Sequence, residues 1–147
     1  MDKKLLCVAL AIVAAPAFGK DCSGTYTNEP AKMEDPVDLG NGHKITFFKG
    51  TGTVSSPDTP YNGKGTCTGY VAEVEGGVIN SATCLRYTED GDMWGYTAFK
   101  RLGEKRGRWA VTQGTGKFAK NVGSTGWYED ADDQGSTGKW GGTCNGV

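Results

Sequence analysis

The sequence predicts an all-β domain, a sandwich or a barrel of eight or nine short antiparallel strands. From Gly24 onward, clusters of Gly, Asn, Asp and Pro recur at short intervals, and the runs between them are rich in β-branched and aromatic residues. No stretch there places apolar residues at helical spacing for long enough to compete. The 24 glycines among 147 residues point the same way, because each costs roughly 1 kcal/mol in a helix interior relative to Ala. The candidate strands, in order, are Thr25 to Thr27, Pro36 to Leu39, His43 to Val54, Gly65 to Val74, Val78 to Thr88, Met93 to Leu102, Arg108 to Gln113, Gly123 to Glu129 and Gly138 to Cys144. Asn41-Gly42, Pro57 to Pro60, Gly76-Gly77, Asp90-Gly91 and Asp133 to Gly135 separate them.

Residues 1–19 have the layout of an export signal: Asp2, Lys3 and Lys4, then the apolar run Leu5 to Ala15, then small residues around Ala17 and Gly19. The run is too short to span a bilayer as a helix, which takes about 20 residues. The competing reading is an N-terminal core helix. On the export reading the mature chain is a single domain, residues 20–147, periplasmic or secreted and without a transmembrane segment, and Cys7 departs with the signal. Lys20 and Asp21 before Cys22 disfavour a lipidated cysteine. Loss of Lys3, Lys4 and Asp2 moves the formal charge from −1 to −2. Such a balance offers no basic footprint for nucleic acid or an anionic membrane.

Four cysteines stay in the mature chain: Cys22, Cys67, Cys84 and Cys144. An even number in an exported chain predicts two disulfides, with three connectivities open. Zinc and thiol redox catalysis are disfavoured, because there is no C-x2-C spacing and His43 is the only histidine. No metal and no cofactor are expected.

Register can be pushed further. Asp90-Gly91 is favoured in two-residue type I′ hairpins, and centring a turn there sets Tyr87 opposite Trp94 and Leu85 opposite Tyr96. If Cys67 and Cys84 are direct partners, the preceding turn centres on Glu75-Gly76, with Tyr70 opposite Ser81 and Thr68 opposite Thr83. A turn near Glu104-Lys105 sets Trp109 opposite Lys100 and Val111 opposite Ala98. Opposed residues share a sheet face, so the predicted interior is Tyr70, Ala72, Val74, Leu85, Tyr87, Trp94, Tyr96, Ala98, Trp109 and Val111. Cys67, Glu73, Asn80, Cys84 and Arg86 fall outside. The interior is either a packed core or the lining of a cavity. In the second case Tyr70, Tyr87, Trp94, Tyr96 and Trp109 are the candidate lining for a small hydrophobic or aromatic ligand. Cys22 and Cys144 lie near the two ends, and a Cys22–Cys144 bridge would tie the first strand to the last, as closure into a barrel allows.

The stretch Gly114-Thr115-Gly116-Lys117-Phe118-Ala119, followed by Gly123-Ser124 and Gly126, resembles the G-T-G-x-F signature of dirigent proteins and allene oxide cyclases. Upstream, Cys84 to Asp92 resembles a segment that precedes this signature in small exported bacterial proteins. The resemblance implies an eight-stranded antiparallel, calycin-like barrel with an apolar cavity. Lys120, Asn121 and Val122 depart from the usual continuation, and no dirigent catalytic carboxylate or Arg can be placed on this chain. Gly114 and Gly116 permit a tight strand exit, from which Phe118 is expected to turn back and plug the barrel end. A phosphate loop is disfavoured, since the lysine-serine ending of a P-loop is missing.

Two acidic tips, Glu89 with Asp90 and Asp92, and Glu129 with Asp130, Asp132 and Asp133, lack calcium-loop spacing and read as solvated turns. The basic turn Lys105, Arg106 and Arg108 is expected at the same barrel end as the second tip. His43, Ser81 and Ser124 lack the context of a Ser-His-Asp site, and no interior carboxylate is expected. Catalytic residues are therefore unassigned. The leading expectation is a non-enzymatic exported module holding a small apolar or aromatic molecule, with a cyclase-like or coupling enzyme and a filled-core interaction protein as alternatives.

Overall fold

The computed structural model describes residues 19–147, so the expected export segment lies outside the described residues apart from Gly19. The strands are β1 (Lys20–Asn28), β2 (Lys32–Met33), β3 (Val37–Gly40), β4 (His43–Ser55), β5 (Gly63–Val74), β6 (Gly77–Tyr87), β7 (Met93–Arg101), β8 (Gly107–Gly114), β9 (Thr125–Asp130) and β10 (Thr137–Cys144). Eight of them form a closed antiparallel barrel in the order β1-β10-β9-β8-β7-β6-β5-β4, and β4 pairs again with β1. Closure pairs the eight barrel strands on both sides, and the short β2 and β3 pair with β4 alone. Only the last residues of β4, Gly52 to Ser55, face β1. Its earlier residues pair instead with the short β2 and β3, which reach it through the expected Asn41-Gly42 turn, with both residues at positive φ.

Both expected disulfides are present, Cys22–Cys144 across 122 residues and Cys67–Cys84 across 17. The first sits where β1 pairs with β10. In the chain-entropy model these loops correspond to about 5 and about 3 kcal/mol.

One end of the barrel is plugged. After Gly114 the chain makes a 3-10 segment, Gly116–Asn121, which drives Phe118 into the interior with no exposed surface. Gly116 has φ +50°, and a Cβ there would overlap the Asp92 carboxylate. A Cβ on Gly114 would collide with the Phe118 carbonyl. The glycines of the signature are thus sites of close approach. Tyr61 enters from the β4–β5 loop, which Asn62 holds through hydrogen bonds to Ser56 in both directions, each 2.9 Å. Phe118 lies 4.7 Å from Trp94 and 5.4 Å from Tyr61 between ring centroids, and Trp140 meets Tyr61 edge-on at 5.9 Å. Val54, Val111, Cys22 and Cys144 complete this core.

The registers confirm the β5–β6 pairing and correct its neighbour. Cys67 faces Cys84 and Tyr70 faces Ser81, as expected. The β6–β7 turn is longer than two residues: Thr88 N–H donates to the Asp92 carbonyl and Gly91 N–H to that of Thr88. Tyr87 therefore pairs with Met93, and Arg86 with Trp94. A one-residue slip exchanges the two faces of a strand, and the fixed β5–β6 register carries the exchange into β5. Tyr70, Ala72, Val74, Leu85 and Tyr87 consequently face outward, while Cys67, Asn80, Cys84 and Arg86 face inward. Glu73 lies on the inward face but at the exposed rim. On β7 and β8, Trp94, Tyr96, Ala98, Trp109 and Val111 point inward as expected, although Trp109 faces Ala98 and Val111 faces Tyr96 across a bulge at Gly95.

Candidate functional site: an open cavity in the barrel

Away from the plug the barrel is hollow. A cavity of about 960 Å³ opens at the end formed by the β1–β2 connection, the β7–β8 turn and the β9–β10 loop. Its two sides differ. Most rings come from β1, β7, β8, β9 and β10, namely Tyr26, Trp94, Tyr96, Trp109, Tyr128 and Trp140, joined by Tyr61 and by Phe48 of β4. On β4 and β5 the inward face carries Gly50, Gly52, Gly63, Gly65 and Gly69, with Phe48, Val54 and Val71 projecting among them. Where that wall is glycine, the rings opposite face open space.

Of the five residues expected to line a ligand site, Trp94, Tyr96 and Trp109 border the cavity. Tyr70 and Tyr87 lie on the outer surface, 36% and 48% exposed, for the register reason given above. Trp94 forms the floor and is 2% exposed. Trp109 is fixed by its indole N–H, which donates to the Trp127 carbonyl at 3.0 Å.

Sequence reasoning missed the polar part of the cavity. Tyr26 donates a short hydrogen bond to Asp130 Oδ1, and Lys100 Nζ pairs with Asp130 Oδ2 at 2.5 Å. The Lys100 ammonium lies 6.0 Å from the centroid of the Tyr128 ring, which meets Tyr26 edge-on at 6.4 Å. An interior carboxylate therefore exists, contrary to the expectation from the sequence. Asp130 continues the inward alternation Gly126, Tyr128, Asp130 along β9, as Lys100 continues Trp94, Tyr96, Ala98 along β7. Those alternations were the available signal. Burial pushes the Tyr26 hydroxyl far above its ordinary value, with Asp130 adding to the effect. Burial, then Asp130 and Tyr96, raise Tyr128 in the same way. Both phenols stay protonated at neutral pH.

The rest of the second acidic tip is structural. Asp132 accepts backbone N–H groups from Gln134, Ser136 and Thr137, and these bonds, that from Ser136 foremost, hold its carboxyl below its usual range. Glu129 pairs with Lys105, Arg106 and Lys139 at 3.5, 3.1 and 3.7 Å, so the basic and acidic turns share the mouth as expected. At the closed end, Lys117 bonds Asp90 and holds its carboxyl down to about 2. His43 sits at the rim, its Nδ1 accepting from Glu75 N–H at 3.2 Å. Ser124 is buried near the plug, donating to the Asn121 carbonyl, and Ser81 faces outward. These three do not meet.

No protein-family profile matches the chain, and no curated protein is significantly similar to it in sequence. A solved structure does. The barrel is similar to that of an enzyme from Penicillium herquei, with a TM-score of 0.66 and 12% sequence identity over 90% of this chain and 99% of the other. At that identity the likeness is one of fold.

Proposed function

We propose that this barrel binds a small, largely apolar or aromatic molecule in its cavity. The observation that carries the reading is an interior of about 960 Å³ with ring side chains concentrated on one side and a glycine-rich wall, with Phe48, Val54 and Val71, on the other. Small-molecule sites typically enclose about 300–1,000 Å³, with apolar walls and a few fixed polar groups. Here those groups are the hydroxyls of Tyr26, Tyr96 and Tyr128 with Lys100 and Asp130. The likeness of Gly114 to Phe118 to the dirigent and allene oxide cyclase signature agrees with a cavity-bearing barrel. Two disulfides suit an oxidising compartment, and we place the protein in the periplasm or outside the cell. Titration of tryptophan fluorescence with a phenolic and lipid panel, including the neutral probe 2-naphthamide, tests this. Saturable binding that is lost in Gly50→Phe, which projects a ring into the cavity, is the expected result; a silent panel would refute the reading.

The Tyr26–Asp130–Lys100 cluster favours a second reading, an enzyme working by proton transfer, and the fold neighbour is itself an enzyme. Asp130 is the base and Tyr128 the acid in this reading. Incubating 2-acetonaphthone in D2O tests it directly. A C–H proton leaves to the Asp130 carboxylate, the enolate oxygen is held by a tyrosine hydroxyl, and a deuteron returns to carbon. Exchange that requires Asp130 supports the reading, and exchange at the rate of buffer alone excludes it for this probe.

A further inference from the structure

Arg86 is a charge enclosed without a matching anion. It is 1% exposed and faces the interior between Gly65 of β5 and Trp94 of β7. Nη1 donates to the carbonyls of Gly65 at 2.7 Å and Gly52 at 3.2 Å. Nη2 donates to Cys67 Sγ at 3.3 Å and Tyr96 Oη at 3.2 Å, and Nε has no partner. Among the described residues no carboxylate pairs with it. Neutral acceptors replace part of its hydration, but an enclosed cation without a counter-charge remains unfavourable. Below the rim, where Lys44 and Glu73 face each other, the other inward charges are Lys100 and Asp130, which neutralise one another. Among the described residues, the barrel interior therefore keeps one surplus positive charge below a mouth lined by Glu29, Glu104, Glu129, Asp132 and Asp133 with Lys105.

Tyr96 carries that charge to the cavity. Its ring borders the open space, and the guanidinium carbon lies 5.8 Å from the ring centroid. Because Arg86 donates to the hydroxyl oxygen, the hydroxyl's own proton is left to donate, and among the described residues it has no acceptor. Tyr128 borders the same space, and its hydroxyl likewise makes no hydrogen bond to a described residue. Two phenolic donors thus line the cavity, one of them backed by a buried cation, an arrangement suited to an oxygen bearing negative charge. We infer that the cavity has an anion subsite at Tyr96, backed by Arg86, which docks the carboxylate or phenolate oxygen of an aromatic ligand while the rings hold its apolar body.

The inference rests on the cavity-binding reading and deepens it, and a pair of matched probes keeps the two apart. Calorimetry at neutral pH compares 2-naphthoate, which is ionised, with 2-naphthamide, its neutral isostere. The native protein is expected to bind the naphthoate about tenfold more tightly, as one charge-assisted hydrogen bond supplies. Tyr96→Phe removes only the hydroxyl and is expected to bring the two affinities within about twofold, by weakening naphthoate binding far more than naphthamide binding. Arg86→Met is expected to do the same, and naphthamide binding reports whether that variant retains its cavity. Equal affinities in the native protein, or a naphthoate preference that survives Tyr96→Phe, would overturn the anion subsite and leave the cavity reading standing. Failure of both probes to bind the native protein would overturn both.

Discussion

Replacing Phe118 by Ala tests whether the barrel end is plugged as described. The ring has no exposed surface and packs 4.7 Å from Trp94 and 5.4 Å from Tyr61 between centroids. Truncating buried Phe to Ala costs about 3–5 kcal/mol, less where neighbours collapse into the space. Collapse is restricted here, because Trp94 is held in β7 and Tyr61 by a loop that Asn62 pins. A loss of about 4 kcal/mol is therefore expected. With a urea dependence of about 2 kcal/mol per molar, the unfolding midpoint falls by about 2 M. Equilibrium urea unfolding followed by tryptophan fluorescence, with the disulfides intact, measures it. Phe118→Leu should fall between the two. A Phe118→Ala midpoint within about 0.5 M of native would show that the ring does not seal a packed end, and the account of the Gly114 to Phe118 turn would fail with it.

Further outcomes follow from the same structure. Tyr26 and Tyr128 have folded values raised above the ordinary 10.0, so their contribution to stability is complete below pH 10 and is lost as pH rises beyond it. Absorbance titration at alkaline pH should show late-ionising phenols that disappear singly in Tyr26→Phe and Tyr128→Phe. Lys100→Met leaves Asp130 in the barrel without its cation and is expected to cost about 1–3 kcal/mol, partial exposure moderating the loss; a melting temperature equal to native would contradict the pair. Serine replacement of Cys22 and Cys144 should lower the melting temperature more than replacement of Cys67 and Cys84, because the loop of 122 residues restrains the unfolded chain more than that of 17. The reverse order would count against that mechanism. Gly116→Ala is expected to be destabilising, since it meets both a positive φ and the Asp92 carboxylate, and thermal melting reads the change.

Strand positions, both disulfides, the barrel and the inward turn of Phe118 were legible in the sequence, because each rests on local punctuation or on a pairing that few alternatives could satisfy. β2 was not, being two residues long and held by pairing with β4. Side assignment failed on β5 and β6 for a physical reason. Asp90-Gly91 suits a two-residue turn, but the Thr88–Asp92 hydrogen bonds close a longer one, and one residue decides which face of a strand meets the interior. The error hid Arg86, because outward placement is the ordinary expectation for an arginine and only tertiary structure encloses it. Asp130 was obscured similarly by its neighbours: Glu129, Asp132 and Asp133 do belong to the rim, and composition could not separate it from them.

The glycine-rich wall of β4 and β5 constrains how such a protein can acquire a new specificity. A methyl group added at Gly63, Gly65 or Gly69 would come within 2.0–2.4 Å of a carbonyl oxygen on the adjoining strand, so these positions govern how the sheet bends, and drift there is penalised in the scaffold before it reaches any bound molecule. At Gly50 the nearest obstacle is Ala31, at 3.4 Å. Among the glycines of this wall, Gly50 is therefore the least costly place to reshape the chamber, and homologues that prefer different guests should diverge there while keeping Gly63, Gly65 and Gly69.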